Sequence, residues 1–146
     1  MRKIKQNNPN LKISKPNQYQ AVKEPDKPVL SFVYLTSNSR YNFDIFGKDK
    51  HNRLTAKEAL VDRLIQLTQQ PWIYWQSLGK KQGGLETLKA SSINFLPQGY
   101  TFSEDEKVIV FRFCSDAYRI IGFQDSSSPT YHIIGFDFDH SAYDHG

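Results

Sequence analysis

Apolar positions cluster most densely in the last third of the chain. SINFL (92–96), KVIVFRFC (107–114), YRIIGF (118–123) and YHIIGFDF (131–138) are short β-branched and aromatic runs, and they predict four successive strands. Ser115 and Asp116 suit a tight turn, and DSSSPT (125–130) a longer one. Earlier, VLSFVYLT (29–36) lies between Pro28 and the polar cluster SNSR and predicts a strand. In YNFDIF (41–46), Tyr41, Phe43 and Ile45 alternate with other residues, which predicts a second strand or hairpin return. Ala56, Ala59, Leu60, Leu64 and Leu67 recur at helical spacing. They predict a helix over 56–69, with Thr55 as cap and Glu58 completing a capping box. Pro71 ends that helix or opens a second, short one over 71–79, LETLKA (85–90) reads as a helical turn, and KKQGG as a loop. The expected fold is α+β: an antiparallel sheet with helices packed on one face, forming a single domain over 29–146.

Charge changes the picture of the front of the chain. The net charge is +4, but residues 1–28 hold seven Lys/Arg against Glu24 and Asp26, leaving the remaining 118 residues at −1. Four of the seven prolines also fall in 1–28, with no apolar period, so a flexible basic arm is expected there. A basic patch on the body must come from local clusters such as Lys48, Lys50 and Arg53 in GKDKHNR, not from the overall charge. Aromatics make up 14% of the chain, enough to build a core. The lone Cys114 excludes an internal disulfide framework and reads as a small core residue. No apolar run has membrane-spanning length and MRKIKQ is not followed by an apolar stretch, so a cytoplasmic protein is expected.

Period two along the strands sorts the polar residues. Arg112 shares a face with Val108 and Val110, and Arg119 with Ile121 and Phe123. Tyr131, Ile133, Asp137 and Asp139 are expected on one side of the last strand, with His132, Ile134, Phe136, Phe138 and His140 on the other. Charges in apolar strands need partners or a wet cleft. Either the arginines pair with Asp137 or Asp139 across strands, or they face a polar cleft. Asp137, Asp139 and His140 lack the His-x-x-x-His spacing of a zinc site, so no metal or cofactor is expected. There is no nucleophile elbow and no glycine-rich phosphate loop. What remains is acid–base chemistry near anions, with His140, Tyr143 and His145 supplying proton transfer and Arg112 and Arg119 charge stabilisation. Basic and aromatic residues together also suit RNA contact.

VIVFRFCSDAYRIIGF and YHIIGFDFDHSAYDHG resemble the central hairpin and the last strand and tail of RelE/YoeB/HigB-type toxins of bacterial toxin–antitoxin pairs. The resemblance covers about 54–146 and is strongest over 107–146. It implies a RelE-like fold, partnership with an antitoxin protein, and ribosome-associated cleavage of mRNA. In that endoribonuclease chemistry the ribose 2′-OH attacks the adjacent phosphate. By the resemblance, Arg112 and Arg119 match phosphate-stabilising arginines, and His140 and Tyr143 match the acid/base and orienting positions. Lys80 and Lys81 match a substrate-facing loop. The competing expectation is a non-catalytic protein- or RNA-binding module on the same fold.

Overall fold

The computed structural model describes residues 26–48 and 54–144. The arm expected over 1–28 therefore lies almost wholly outside the described residues. Its last residues touch the body: Pro28 is buried and the Asp26 carbonyl accepts the Trp72 N–H at 2.9 Å.

The chain is α+β, built on one five-stranded sheet. Its elements are β1 (Val29–Ser31), α1 (Ile45–Lys48), α2 (Leu54–Leu67), α3 (Trp72–Ser77), β2 (Leu85–Lys89), β3 (Lys107–Phe113), β4 (Tyr118–Gln124) and β5 (Thr130–Asp137). Short 3₁₀ turns occupy Lys80–Gln82 and Ala90–Ser92. The strand order is β1-β5-β4-β3-β2. Strands β3 to β5 pair antiparallel, as expected, and β2 adds to β3 antiparallel, but β1 lies parallel to β5, so the sheet is mixed. Among the described residues no helix is long and apolar enough to cross a membrane.

One sheet face packs on the helices. Ala56, Leu60 and Leu67 of α2 and Trp72 and Trp75 of α3 meet Phe111, Phe113, Ile120, Tyr131, Ile133, Phe136 and Phe138. The spacing 56, 60, 67 is the buried stripe that the sequence predicts, and Arg63 completes it at the same helical period. The opposite face carries Val108, Val110, Ile121, Phe123 and Ile134 under loop residues Ile93 and Phe95 and the C-terminal Ala142 and Tyr143.

The sequence reading fails where pairing partners, not local pattern, decide. LETLKA is strand β2, because Leu85 pairs with Phe111 and Thr87 with Ile109; Leu85 and Leu88 point to opposite faces. Only Val29–Ser31 of VLSFVYLT stays in the sheet, since the chain turns at once, Leu35 N–H bonding the Phe32 carbonyl. YNFDIF is a turn leading into α1, because the Asn42 side chain accepts the Asp44 N–H at 2.8 Å and bends the backbone out of extension. SINFL buries Ile93 and Phe95 while Leu96 is exposed, the alternation of a strand, but it has no ladder; its Asn94 N–H bonds the Ala142 carbonyl. Thr55 is helical, not a cap, because α2 already runs from Leu54. Cys114 packs half-buried against the helix-side core.

I-I-G-F occurs twice, at 120–123 and 133–136, and the two copies lie antiparallel on β4 and β5. Ile121 pairs with Gly135 and Gly122 with Ile133, which leaves Ile134 as an extra residue, a β-bulge. A Cβ at Gly135 would collide with the Phe95 ring. Gly135→Ala is therefore expected to destabilise the protein by about 1–3 kcal/mol, read as a lower urea midpoint with unchanged slope.

Candidate functional site

The bulge decides which groups meet. Strict alternation places Asp137 with Tyr131 and Ile133, and Phe136 and Phe138 opposite. After the extra residue at Ile134 the faces exchange: Phe136 and Phe138 join the helix-side core. Asp137 becomes the register partner of Arg119, which is itself the partner of Arg112. A row of two arginines and a buried carboxylate thus crosses three strands, on the face covered by the C-terminal tail.

Arg119 is buried and held by its surroundings. Its Nε–H donates to Tyr143 Oη at 3.2 Å, and one terminal nitrogen donates to the carbonyls of Asp116 (2.6 Å) and Tyr118 (3.2 Å). Arg112 is held more loosely. Its terminal nitrogens lie 3.9 Å from Glu86 and 3.5 Å from Asp116, and its buried Nε–H has no acceptor among the described residues. The Arg112 carboxylate partners are thus Glu86 and Asp116, not the Asp137 or Asp139 that cross-strand pairing suggests.

Asp137 is fully buried and works on the backbone: it accepts the N–H groups of Asp139 (3.2 Å), Ser141 (3.1 Å) and Ala142 (3.2 Å). These bonds curl the tail back over the sheet, which seats Tyr143 against Arg119. Asp139 instead binds Arg40 at 2.9 Å on the surface and takes the Ser141 hydroxyl. His140 is exposed in a left-handed conformation (φ 61°), with Nε2 2.7 Å from the Ala117 carbonyl. Arg119 and His140 therefore hold neighbouring carbonyls of one hairpin turn. In that turn Cys114, Ser115 and Asp116 all have positive φ (56°, 54° and 69°), which is strained for residues with a Cβ.

Beside Arg112 opens a groove of about 640 Å³ between α2, the Lys80–Gln82 turn and the hairpin turn. Lys81 lines it, as do Asp62 and Asp116. Lys80 reaches Glu86 at 3.6 Å, so the lysine pair borders the same charge network. Arg63, which the sequence reading passed over, also lines the groove. Its Nε–H bonds the Arg112 carbonyl at 2.9 Å, one terminal nitrogen bonds the Gly83 carbonyl at 2.6 Å, and its guanidinium lies 5.2 Å from the Trp75 ring centre. Burial lowers its pKa from the usual arginine value. The available signal was its place on the apolar stripe of α2.

Of the remaining sequence candidates, Lys48 ends α1, and Lys50, Arg53 and His145 fall outside the described residues. Among the described residues no group of three or more His, Cys, Asp or Glu could hold a metal ion, so Asp137, Asp139 and His140 do not form such a cluster. The tyrosine is brought to an arginine, the histidine to the rim of the same turn, and the lysines to the groove edge. They do not converge on one open point, because Tyr143 is buried. Compared with protein-family models, curated proteins and solved structures, the chain matches none.

Two outcomes test this geometry. Asp137→Ala, which strands three backbone donors and removes the carboxylate beside Arg119, is expected to cost about 3–5 kcal/mol in urea unfolding. Asp139→Ala, on the surface, is expected to cost at most about 1 kcal/mol. Separately, burial raises the Tyr143 pKa, with Arg119 opposing and the Glu86 and Asp137 charges adding to it. A phenol raised on folding contributes stability that is complete below about pH 10 and is lost as pH rises through the folded value. Tyr143→Phe is expected to make the fall in urea midpoint shallower than in the parent protein above about pH 10.

Proposed function

We propose that this chain acts on RNA as a toxin-type, metal-independent endoribonuclease, with the groove at Arg112 as its phosphate site. The observation that supports this reading most directly is the state of Arg112. It lines a groove of nucleotide size, and its ion pairs of 3.5 and 3.9 Å are long enough to leave donor capacity at its terminal nitrogens. In this reading Arg112 stabilises charge as the 2′-OH attacks the adjacent phosphate and the P–O5′ bond breaks, leaving a 2′,3′-cyclic phosphate and a 5′-hydroxyl, and Lys81 contacts the backbone. His140, exposed at the rim of the hairpin turn, takes the 2′-OH proton and returns a proton to the leaving 5′-oxygen. Arg119 and Tyr143 act as positioning residues: they hold the turn that carries Asp116 next to Arg112. The partners implied are mRNA, the ribosome and a cognate antitoxin.

A second reading has its own observation. Tyr143 is buried and spent on Arg119, and Arg119 is spent on two carbonyls, as suits a non-catalytic module that binds RNA or protein.

Induced expression is expected to arrest growth, and purified protein with ribosomes is expected to cut mRNA. Arg112→Ala and His140→Ala should relieve both effects by about 10²-fold or more while the protein stays folded. RNA binding that weakens with salt and with Arg112→Ala, but without cleavage, would move the protein to the binding-module reading. Neither cleavage nor Arg112-dependent RNA binding would dispose of the nuclease and of an RNA-binding module, and leave only the protein-binding form of the second reading.

A further inference from the structure

The face that carries the arginines has a second polar end. Along β4, Phe123 lies four residues from Arg119, roughly 13 Å at strand rise. There the rings of Tyr34, Tyr100 and Phe123 and the imidazole of His132 enclose a recess of about 190 Å³, together with Glu106 and Asp125. Tyr34 meets Tyr100 at 5.2 Å between centroids and His132 at 5.0 Å, forming an aromatic corner, and Phe123 stacks beneath Tyr100 at 4.5 Å.

The two carboxylates are fixed in place and charged. Glu106 accepts the Tyr100 hydroxyl at 2.6 Å and the Ser103 N–H at 2.7 Å. Its partial burial works against ionisation, but these hydrogen bonds outweigh that and lower its pKa. Asp125 accepts the backbone N–H and the hydroxyl of Ser127, each at 3.0 Å, and these bonds lower its pKa. Tyr100, tied to Glu106, is pushed up to about 12 and stays neutral. His132 Nε2 lies 3.7 Å from Asp125, while its Nδ1 is buried with no partner among the described residues. That arrangement suits the tautomer with its proton on Nε2, facing Asp125. Among the described residues no lysine or arginine forms a salt bridge with Glu106 or Asp125.

We propose that this recess binds a small organic ammonium group, its alkyl surface against the Tyr34 and Tyr100 rings and its charge balanced by Glu106 and Asp125. Ring faces attract alkylammonium ions, and two carboxylates exclude anions. A hard metal ion would want about six or more oxygen ligands, and no metal-binding group of three or more His, Cys, Asp or Glu exists among the described residues. The volume equals about six waters, room for an ammonium headgroup but not for a nucleotide. The site is independent of the RNA reading and shares none of its residues. The same chemistry is offered by a free amine and by a lysine side chain of a protein.

Choline and Nα-acetyl-lysine methylamide, titrated separately into the full-length protein at matched ionic strength, test the proposal through the NMR shifts of the tyrosine and histidine rings. Saturable binding in the millimolar range, about 4 kcal/mol at the 1 M standard state, is expected for at least one probe. Preference for choline assigns a free quaternary ammonium compound, and preference for the lysine probe a protein side chain. Glu106→Gln, Asp125→Asn and Tyr34→Ala should each weaken binding at least about ten-fold, and Arg112→Ala should leave it unchanged. Circular dichroism confirms that each variant is folded; Tyr34→Ala leaves both carboxylates intact and so provides a test independent of them. The proposal is overturned if neither probe saturates, if folded carboxamide variants bind equally well, or if the uncharged isostere 3,3-dimethylbutan-1-ol binds as tightly as choline.

Discussion

The extra residue at Ile134 is the constraint on which the polar architecture depends. Without it, Asp137 would enter the helix-side core among Phe111, Phe113 and Ile133, where an unpaired carboxylate is prohibitively costly. With it, Phe136 and Phe138 fill that core and Asp137 turns to the arginine face. The local geometry explains why a glycine follows the bulge: the Phe95 ring occupies the space that a side chain at 135 would need. One backbone irregularity therefore satisfies two requirements at once, an apolar core on one side and a carboxylate beside Arg119 on the other.

Once Asp137 is placed, the rest of the charge network follows from repulsion. Arg112 and Arg119 are direct cross-strand neighbours, an arrangement that destabilises a sheet unless anions intervene. Glu86 from β2 and Asp116 from the hairpin turn approach Arg112, and Asp137 is the register partner of Arg119. The same arginines stabilise the turn itself. Three successive residues with positive φ are unfavourable, and the turn is held by Arg119 on the Asp116 carbonyl, Arg112 on the Asp116 carboxylate and His140 on the Ala117 carbonyl. The groove beside it is thus bordered by a strained turn on the sheet side and by Arg63, locked to Gly83 and Arg112, on the helix side.

The three long strands, the helix α2, the short α3 and the face of each arginine within its own strand were legible in the sequence, because each rests on a period that spans several residues. The failures share a different cause. Leu85 and Leu88 are three apart, which mimics a helix, and only the partner strand β3 shows that they serve opposite faces. The parallel placement of β1 depends on an edge of β5 that no local pattern announces. The bulge could have been suspected from the second I-I-G-F, since continuing the alternation past Gly135 put Phe136 and Phe138 on the face of His132 and a carboxylate on the face of Tyr131. Arg63 was visible as a charge on an apolar stripe, and its bonds to two backbone carbonyls explain how the core accepts it.

The face under the tail and loops is electrically divided. At one end stand Arg112 and Arg119; at the other, Glu106 and Asp125 face aromatic rings. Between the two ends lie Val110, Ile121 and Ile134, buried and apolar, so little water or counter-charge screens one end from the other within the protein. Because the body is near neutral overall, this internal separation and not net charge would orient an anionic chain on the surface. The basic end of this face thus lies where β3 ends and β4 begins, at the hairpin turn that the two arginines hold.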